Sequence, residues 1–200
     1  GSVSSRKKFK SGIAANKKFF ISMKANLKKK ITIKVEILKS ISDIDLADLC
    51  NITEQAIKAG GGFGWLKPPP RETLNKYWKG LVVVQHRILI VGRLNNAIAG
   101  TLQLGLQPPN NEAQKNITNI NSHFVAPWAR GHGLAKNMID HTELVAKENG
   151  ASCVQLDIRE TQEAAIQLFK SKGYKQWGKN PNYARVDGKA IKGFYFYKNI

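Results

Sequence analysis

Ile31, Ile33, Val35 and Ile37 alternate with polar residues, a period of two that predicts a half-buried strand over residues 31–38. The period then lengthens. Behind the capping pair Ser42-Asp43, the apolar positions Ile44, Leu46, Leu49, Ile52 and Ile57 recur at helical spacing until Gly60 stops them. The glycine- and proline-rich run over residues 60–70 cannot continue that helix, and residues 71–79 offer a second, short one. Three apolar stretches, 87–94, 97–107 and 116–125, read as consecutive antiparallel strands, the first two joined by a turn at Asn95-Asn96. Residues 133–147 follow a helical pattern and 153–158 read as a buried strand. A helix opening at Glu160 or Thr161 reaches Lys172, and 174–177 and 193–198 supply the last strands. The order is β-α-α-β-β-β-α-β-α-β-β, an α/β (α+β) pattern with no internal repeat.

Composition narrows the class. Two hundred residues with 42% hydrophobic content suffice for one domain with a substantial core, expected over residues 31–200. No apolar run approaches the roughly 18 residues of a membrane span, and Phe19-Phe20-Ile21 is too short for a signal peptide's apolar region. Cys50 and Cys153 form neither a metal-ligand pair nor a disulfide framework, so a cytoplasmic protein with buried thiols and no metal is expected. The net charge of +18 is uneven, because the first 30 residues hold ten Lys or Arg and no acid. That arm reads as a solvated, disordered tail; any nucleic-acid or anionic-membrane attraction would be nonspecific and salt-sensitive.

Candidate chemistry concentrates in the run Val125-Ala-Pro-Trp-Ala-Arg-Gly-His-Gly-Leu-Ala135, a basic, glycine-containing turn between a strand and a helix. Gly131 and Gly133 let backbone N–H groups approach a bound group, and the helix from Leu134 points its positive end there. Arg130 adds charge, so a phosphorylated cofactor is the natural guest.

The order Arg130-x-x-Gly133-x-Ala135 resembles the Arg/Gln-x-x-Gly-x-Gly/Ala signature of the GCN5-related N-acetyltransferases, the GNAT superfamily. A second stretch adds to it: Leu156-Asp157-Ile158-Arg159, then Ala165-Ile166-Gln167-Leu168-Phe169 and Gly173-Tyr174, is similar to the family's fifth strand, following helix and exit. The resemblance implies the GNAT fold, a mixed, mostly antiparallel sheet of about seven strands with four helices, whose fourth and fifth strands splay around acetyl-CoA. It further implies pantetheine pairing at Phe124 and Val125 and pyrophosphate contacts at Arg130, Gly131, His132, Gly133, Leu134 and Ala135. Gln162 replaces the usual Asn at the start of the next helix and keeps an amide for pantetheine. Phe169 stands where many relatives place the Tyr that protonates the departing thiolate, and Phe has no such proton.

Asp157 is the first general-base candidate, with burial beside the sheet expected to raise its pKa, and His123 is the second. Tyr174 and Tyr183 are candidates for the missing acid. In this family the 60–70 connection and late loops wall the acceptor site, which makes Phe63, Trp65, Tyr183 and Arg185 candidate substrate contacts, the last two on an expected loop at 182–188. The glycines at 60–62 follow a helix rather than a strand and so do not form a dinucleotide fingerprint. The expected activity is direct acetyl transfer from acetyl-CoA to a primary amine on a peptide N terminus, a lysine or a small molecule, by a monomer or homodimer. The alternatives are a non-catalytic acyl-CoA-binding sensor and, through the basic arm, a nucleic-acid adaptor. A polyamine acceptor is disfavoured by the protein's own positive field.

Overall fold

The computed structural model describes residues 30–200, so the basic arm expected over residues 1–30 lies, Lys30 apart, outside the described residues. From Thr32 to Ile200 the chain forms one compact unit. Seven strands make a single sheet in the order β1-β2-β3-β4-β5-β7-β6, antiparallel everywhere except between β4 and β5. The strands are β1 (Ile33–Ile37), β2 (Arg87–Leu94), β3 (Ala97–Gly105), β4 (Ile117–Val125), β5 (Cys153–Arg159), β6 (Lys175–Val186) and β7 (Lys189–Asn199). The helices are α1 (Asp43–Lys58), α2 (Arg71–Leu81), α3 (Leu134–Glu148) and α4 (Glu163–Ser171), which reproduces the order read from the sequence.

Local chemistry explains the first helices. Ser42 Oγ accepts from the Asp45 N–H at 3.2 Å, and Asp43 and Asp45 place negative charge at the positive end of α1. Leu49, Ile52 and Ile57 are buried, but Ile44 is 76% exposed. It precedes Leu46 by two residues, about 200° around the helix, and so faces away from the core. Helix α2 is bound to α1 where the Trp78 indole donates to Thr53 Oγ1 at 3.0 Å in the interior.

Two glycines let α3 lie directly on the sheet. A Cβ at Gly92 of β2 would stand 2.7 Å from Met138 Sδ and 2.8 Å from Leu134 Cδ1, and one at Gly100 of β3 would stand 3.0 Å from the same sulfur. Any side chain there would lift the first turns of α3 from the sheet.

The C-terminal half differs from expectation in one element. Residues 182–188 are not a loop: Asp187 and Gly188, with φ of 49° and 75°, make a two-residue turn that closes a long β6–β7 hairpin. The register shift between Asn180 and Ala184, which includes Pro181, breaks the alternation by which that strand would have been recognised. Tyr183 and Arg185 therefore sit on a strand.

A single guanidinium joins β1, β2 and α1. Arg93 donates from Nε to Glu36 at 2.7 Å and, through both Nη atoms, to the Asp45 carboxylate at 2.8 and 2.9 Å. These bonds hold both carboxyl groups below their usual values. Acids whose folded pKa is lowered contribute stability above their unfolded pKa and lose it as pH falls through the folded one. Arg93→Met is expected to cost about 2–3 kcal/mol in urea unfolding at pH 7. It should also flatten the loss of stability below about pH 4, a loss the unmodified protein should show in full.

Candidate active site

The site begins where the sheet stops being continuous. Strands β4 and β5 pair over only three positions, Ile117–Asn119 with Cys153–Gln155, although β4 runs on to Val125 and β5 to Arg159. Their outer sides remain paired, to Gly100 of β3 and to Gly193 of β7, so the strands part from Ile120 and Leu156 onward. A bulge adds to the break: between Asn121 and Phe124, Ser122 and His123 together oppose Leu102, and Ser122 takes a left-handed φ of 48°. Backbone groups on the inner edge of β4 thus face a gap instead of a partner strand.

One cleft, of about 860 Å³, runs along that edge to the start of α3. The chain reaches α3 through a short 3₁₀ turn, Pro127–Ala129, and through Gly131 and Gly133, whose φ values of 83° and 74° favour glycine. No side chain caps α3, and its first turn holds no acid, so the leading N–H groups stand open in the cleft. Lys58, Arg130, Lys136 and Arg159 line this space against two acids, Glu163 and Asp187. A helix end, open amides and surplus positive charge suit a phosphate-bearing ligand, and the unpaired β4 edge suits an extended amide chain leading away from it.

A second cleft, of about 360 Å³, opens on the other side of the gap. It holds Asp157 of β5, and Tyr183 of β6 donates its hydroxyl to that carboxylate. Burial, and then the Asp157 contact, push the Tyr183 hydroxyl well above its usual pKa, so it keeps its proton at neutral pH. The two clefts share Gly62, His123, Arg159, Gln162 and Ala165. His123 stands at this junction, its ring edge-on to Phe169 at 5.3 Å and its Nε2 buried without a hydrogen-bond partner. Burial pushes its pKa down to about 4, so the imidazole is neutral at physiological pH.

The sequence-derived candidates divide accordingly. Phe124, Val125, Arg130, Gly131, Gly133, Leu134, Ala135, Gln162 and Trp65 line the larger cleft, Phe63, Asp157, Phe169 and Tyr183 the smaller. Trp65 thus stands on the opposite cleft from the one expected. Asp157 is exposed rather than buried, since β5 turns it toward the open gap. Tyr174 is elsewhere: its hydroxyl donates to Glu143 of α3 at 3.1 Å beside Lys198, behind Phe169 and outside both clefts. Arg185 donates to the Gly188 carbonyl of its own hairpin turn, and His132 is exposed; neither lines a cleft.

Sequence reading missed Lys136 and the backbone of Gly60–Gly62, all on the larger cleft. Lys136 had a signal, because a cation in the first turn of a helix opposes the helix dipole unless an anion arrives. The glycine loop is held there by Arg159, which donates to the Phe63 carbonyl at 2.9 Å, and a Cβ at Gly62 would meet Phe124 Cβ at 3.2 Å. Among the described residues no group of three or more His, Cys, Asp or Glu is placed to hold a metal ion, and no helix is long and apolar enough to cross a membrane.

Comparison with known proteins agrees with this geometry. Residues 49–174 match the family model described as the acetyltransferase (GNAT) family. The chain is 52% identical over 118 residues, 59% of its length and 70% of the relative's, to an uncharacterized N-acetyltransferase from the hisH–hisA intergenic region of Azospirillum brasilense. Its fold is similar to that of an N-acetyltransferase from Staphylococcus aureus Mu50, with a TM-score of 0.71 at 19% identity over 84% of this chain and 98% of that one. It is also similar, with a TM-score of 0.68 at 14% identity over 84% and 94% of the two chains, to a Salmonella typhimurium protein described as an acetyltransferase and solved with its cofactor acetyl-CoA. The parted β4–β5 pair, the open start of α3 and these matches together place the chain in the GNAT acetyltransferase family, as an N-acetyltransferase.

Proposed function

We propose that the protein transfers an acetyl group from acetyl-CoA directly to a primary amine. The observation that carries this reading is the meeting of two clefts at His123 and Gln162, one shaped for a phosphate-bearing extended ligand and the other built around a carboxylate. In it, the α3 amides, Arg130 and Lys136 hold the pyrophosphate, the inner edge of β4 at Phe124 and Val125 pairs with the pantetheine amides, and Gln162 adds its side-chain amide. Acetyl-CoA supplies the activated acetyl group.

Holding amine and thioester together in aligned geometry is worth roughly 7–11 kcal/mol of the barrier, so placement across the junction is the largest contribution asked of the protein. Proton transfer supplies the rest. An acceptor ammonium entering the smaller cleft gives one proton to Asp157, which Tyr183 holds in place. The free amine then attacks the thioester carbon; the C–N bond forms and the C–S bond breaks. The nitrogen's second proton goes to the departing sulfur through His123, because a neutral imidazole can accept at one nitrogen while donating from the other. This route does not need a phenol at Phe169. The Asp157–Tyr183 pair also favours catalysis over the sensor reading, since a binder that only sensed acyl-CoA has no use for a positioned carboxylate beyond the cofactor cleft.

Lys136→Glu is expected to raise the acetyl-CoA Kd about tenfold in calorimetry at low salt, with a smaller effect at high salt. Its melting temperature should hold or rise, because Glu suits a helix start. Asp157→Asn should lower kcat/KM for the amine about 10²-fold or more, with cofactor affinity unchanged, in a thiol-release assay. His123→Leu should lower kcat by a similar factor without moving the acetyl-CoA Kd.

A further inference from the structure

Tyr183, which lines the smaller cleft, continues outside the cleft into an aromatic surface that the proton chemistry does not use. Tyr195 lies directly across from Asp157 in the β5–β7 register and so shares its face of the sheet. Its ring is edge-on to Tyr183 at 6.1 Å and tilted against Trp177 at 5.4 Å, and Trp177 is 62% exposed. The three rings form a continuous shelf from the carboxylate out to solvent. Glycines hold part of it: any Cβ at Gly193 would run into the Tyr183 ring, and one at Gly178 would lie 3.6 Å from Tyr195 Cβ. Covering glycines accounts for Tyr183 and Tyr195 as ordinary sheet packing. It does not account for Trp177, a large apolar surface left in water at the outer end.

The cleft beside this surface agrees. Phe63, itself edge-on to Tyr77 and Trp78, lines it together with Ile120, Leu156 and Ile158. Among the described residues Asp157 is the only carboxylate lining the cleft, and Arg159 donates to the Phe63 carbonyl. One carboxylate matches one ammonium. Among the described residues no second acid lines the cleft to hold the further ammonium of a polyamine. About 360 Å³ lies at the small end of the range for sites that take small molecules. Aromatic faces also favour a cation passing over them on its way to the carboxylate.

We propose that the acceptor is a small primary monoamine carried on an aromatic body, its nitrogen at Asp157 and its ring on the Tyr183–Tyr195–Trp177 shelf. This names the substrate class of the acetyl-transfer reading and rests on it. The test measures thiol release from acetyl-CoA with 2-phenylethylamine, ethylamine, spermidine and glutamate. Calorimetric binding of 2-phenylethylamine to the coenzyme A-loaded protein supplies a readout that needs no turnover. Expected is a kcat/KM for 2-phenylethylamine at least about tenfold above the other three. Trp177→Ala should raise its KM and weaken its binding about tenfold, with an unchanged melting temperature because the side chain is exposed, and Trp177→Phe should restore most of both. A preference for spermidine, glutamate or ethylamine, or a Trp177→Ala variant with unchanged KM and binding, overturns the aromatic class and leaves acetyl transfer standing. Thiol release from none of the four, by protein that releases thiol with a peptide acceptor, likewise overturns the aromatic class; release from no amine or peptide by protein that binds acetyl-CoA would count against the transfer reading itself.

Discussion

Three residue pairs are all that join β4 to β5, and the remaining architecture depends on that short contact. A longer pairing would satisfy the inner edge of β4 within the protein and close the gap that both clefts share. A shorter one would leave the two halves of the sheet without a backbone connection. The arrangement is tolerable because both strands stay paired on their outer sides along the fork, the Ser122-His123 bulge apart, and because buried residues such as Ile120, Phe124, Leu156 and Phe169 fill it. The bulge at Ser122-His123 belongs to the same solution: one extra residue turns the strand and places the imidazole between the two clefts.

The α3 end of the fork is set by packing at some distance from it. Gly92 and Gly100 bring α3 down onto β2 and β3, and the contact of Leu134 and Met138 with those glycines fixes the height at which the first turn of α3 stands beside β4. On the far side, Arg159 bonds the Phe63 carbonyl and ties the glycine loop across the strand ends. Trp128 donates to Gln55 of α1 at 3.1 Å and fixes the intervening turn. In the proposed reading these supports keep the phosphate-binding amides and the reacting junction at a fixed separation, which is what alignment of amine and thioester demands.

What was legible in the sequence was local. Strand and helix periods gave the element order, because apolar faces repeat within a few residues, and the cradle was readable because Arg130, Gly131, Gly133 and the start of α3 are consecutive. Features made by distant segments were harder. The hydrogen bond between Tyr183 and Asp157 spans 26 residues across two strand pairings, and a register shift around Pro181 hid the strand that carries it. The aromatic wall at Phe63 was placed by family resemblance, while the glycines before it escaped because they contribute backbone at a loop and follow no phosphate-loop order. Tyr174 was drawn toward the site by its place after Phe169, but a buried hydroxyl goes to the nearest acceptor, and Glu143 is there.

In the proposed reading the backbone amides of this fork hold the cofactor, and Arg130, Lys136 and Gln162 add side-chain contacts to them. The most direct measurement is a titration of isotope-labelled protein with coenzyme A, following the backbone amide signals of Phe124, Val125, Leu134, Ala135 and Lys136 by NMR. These amides should shift together and saturate at one Kd, while amides of the far β1–β2 edge stay in place. Saturable binding that leaves the Leu134–Lys136 and Phe124–Val125 amides unmoved would contradict it.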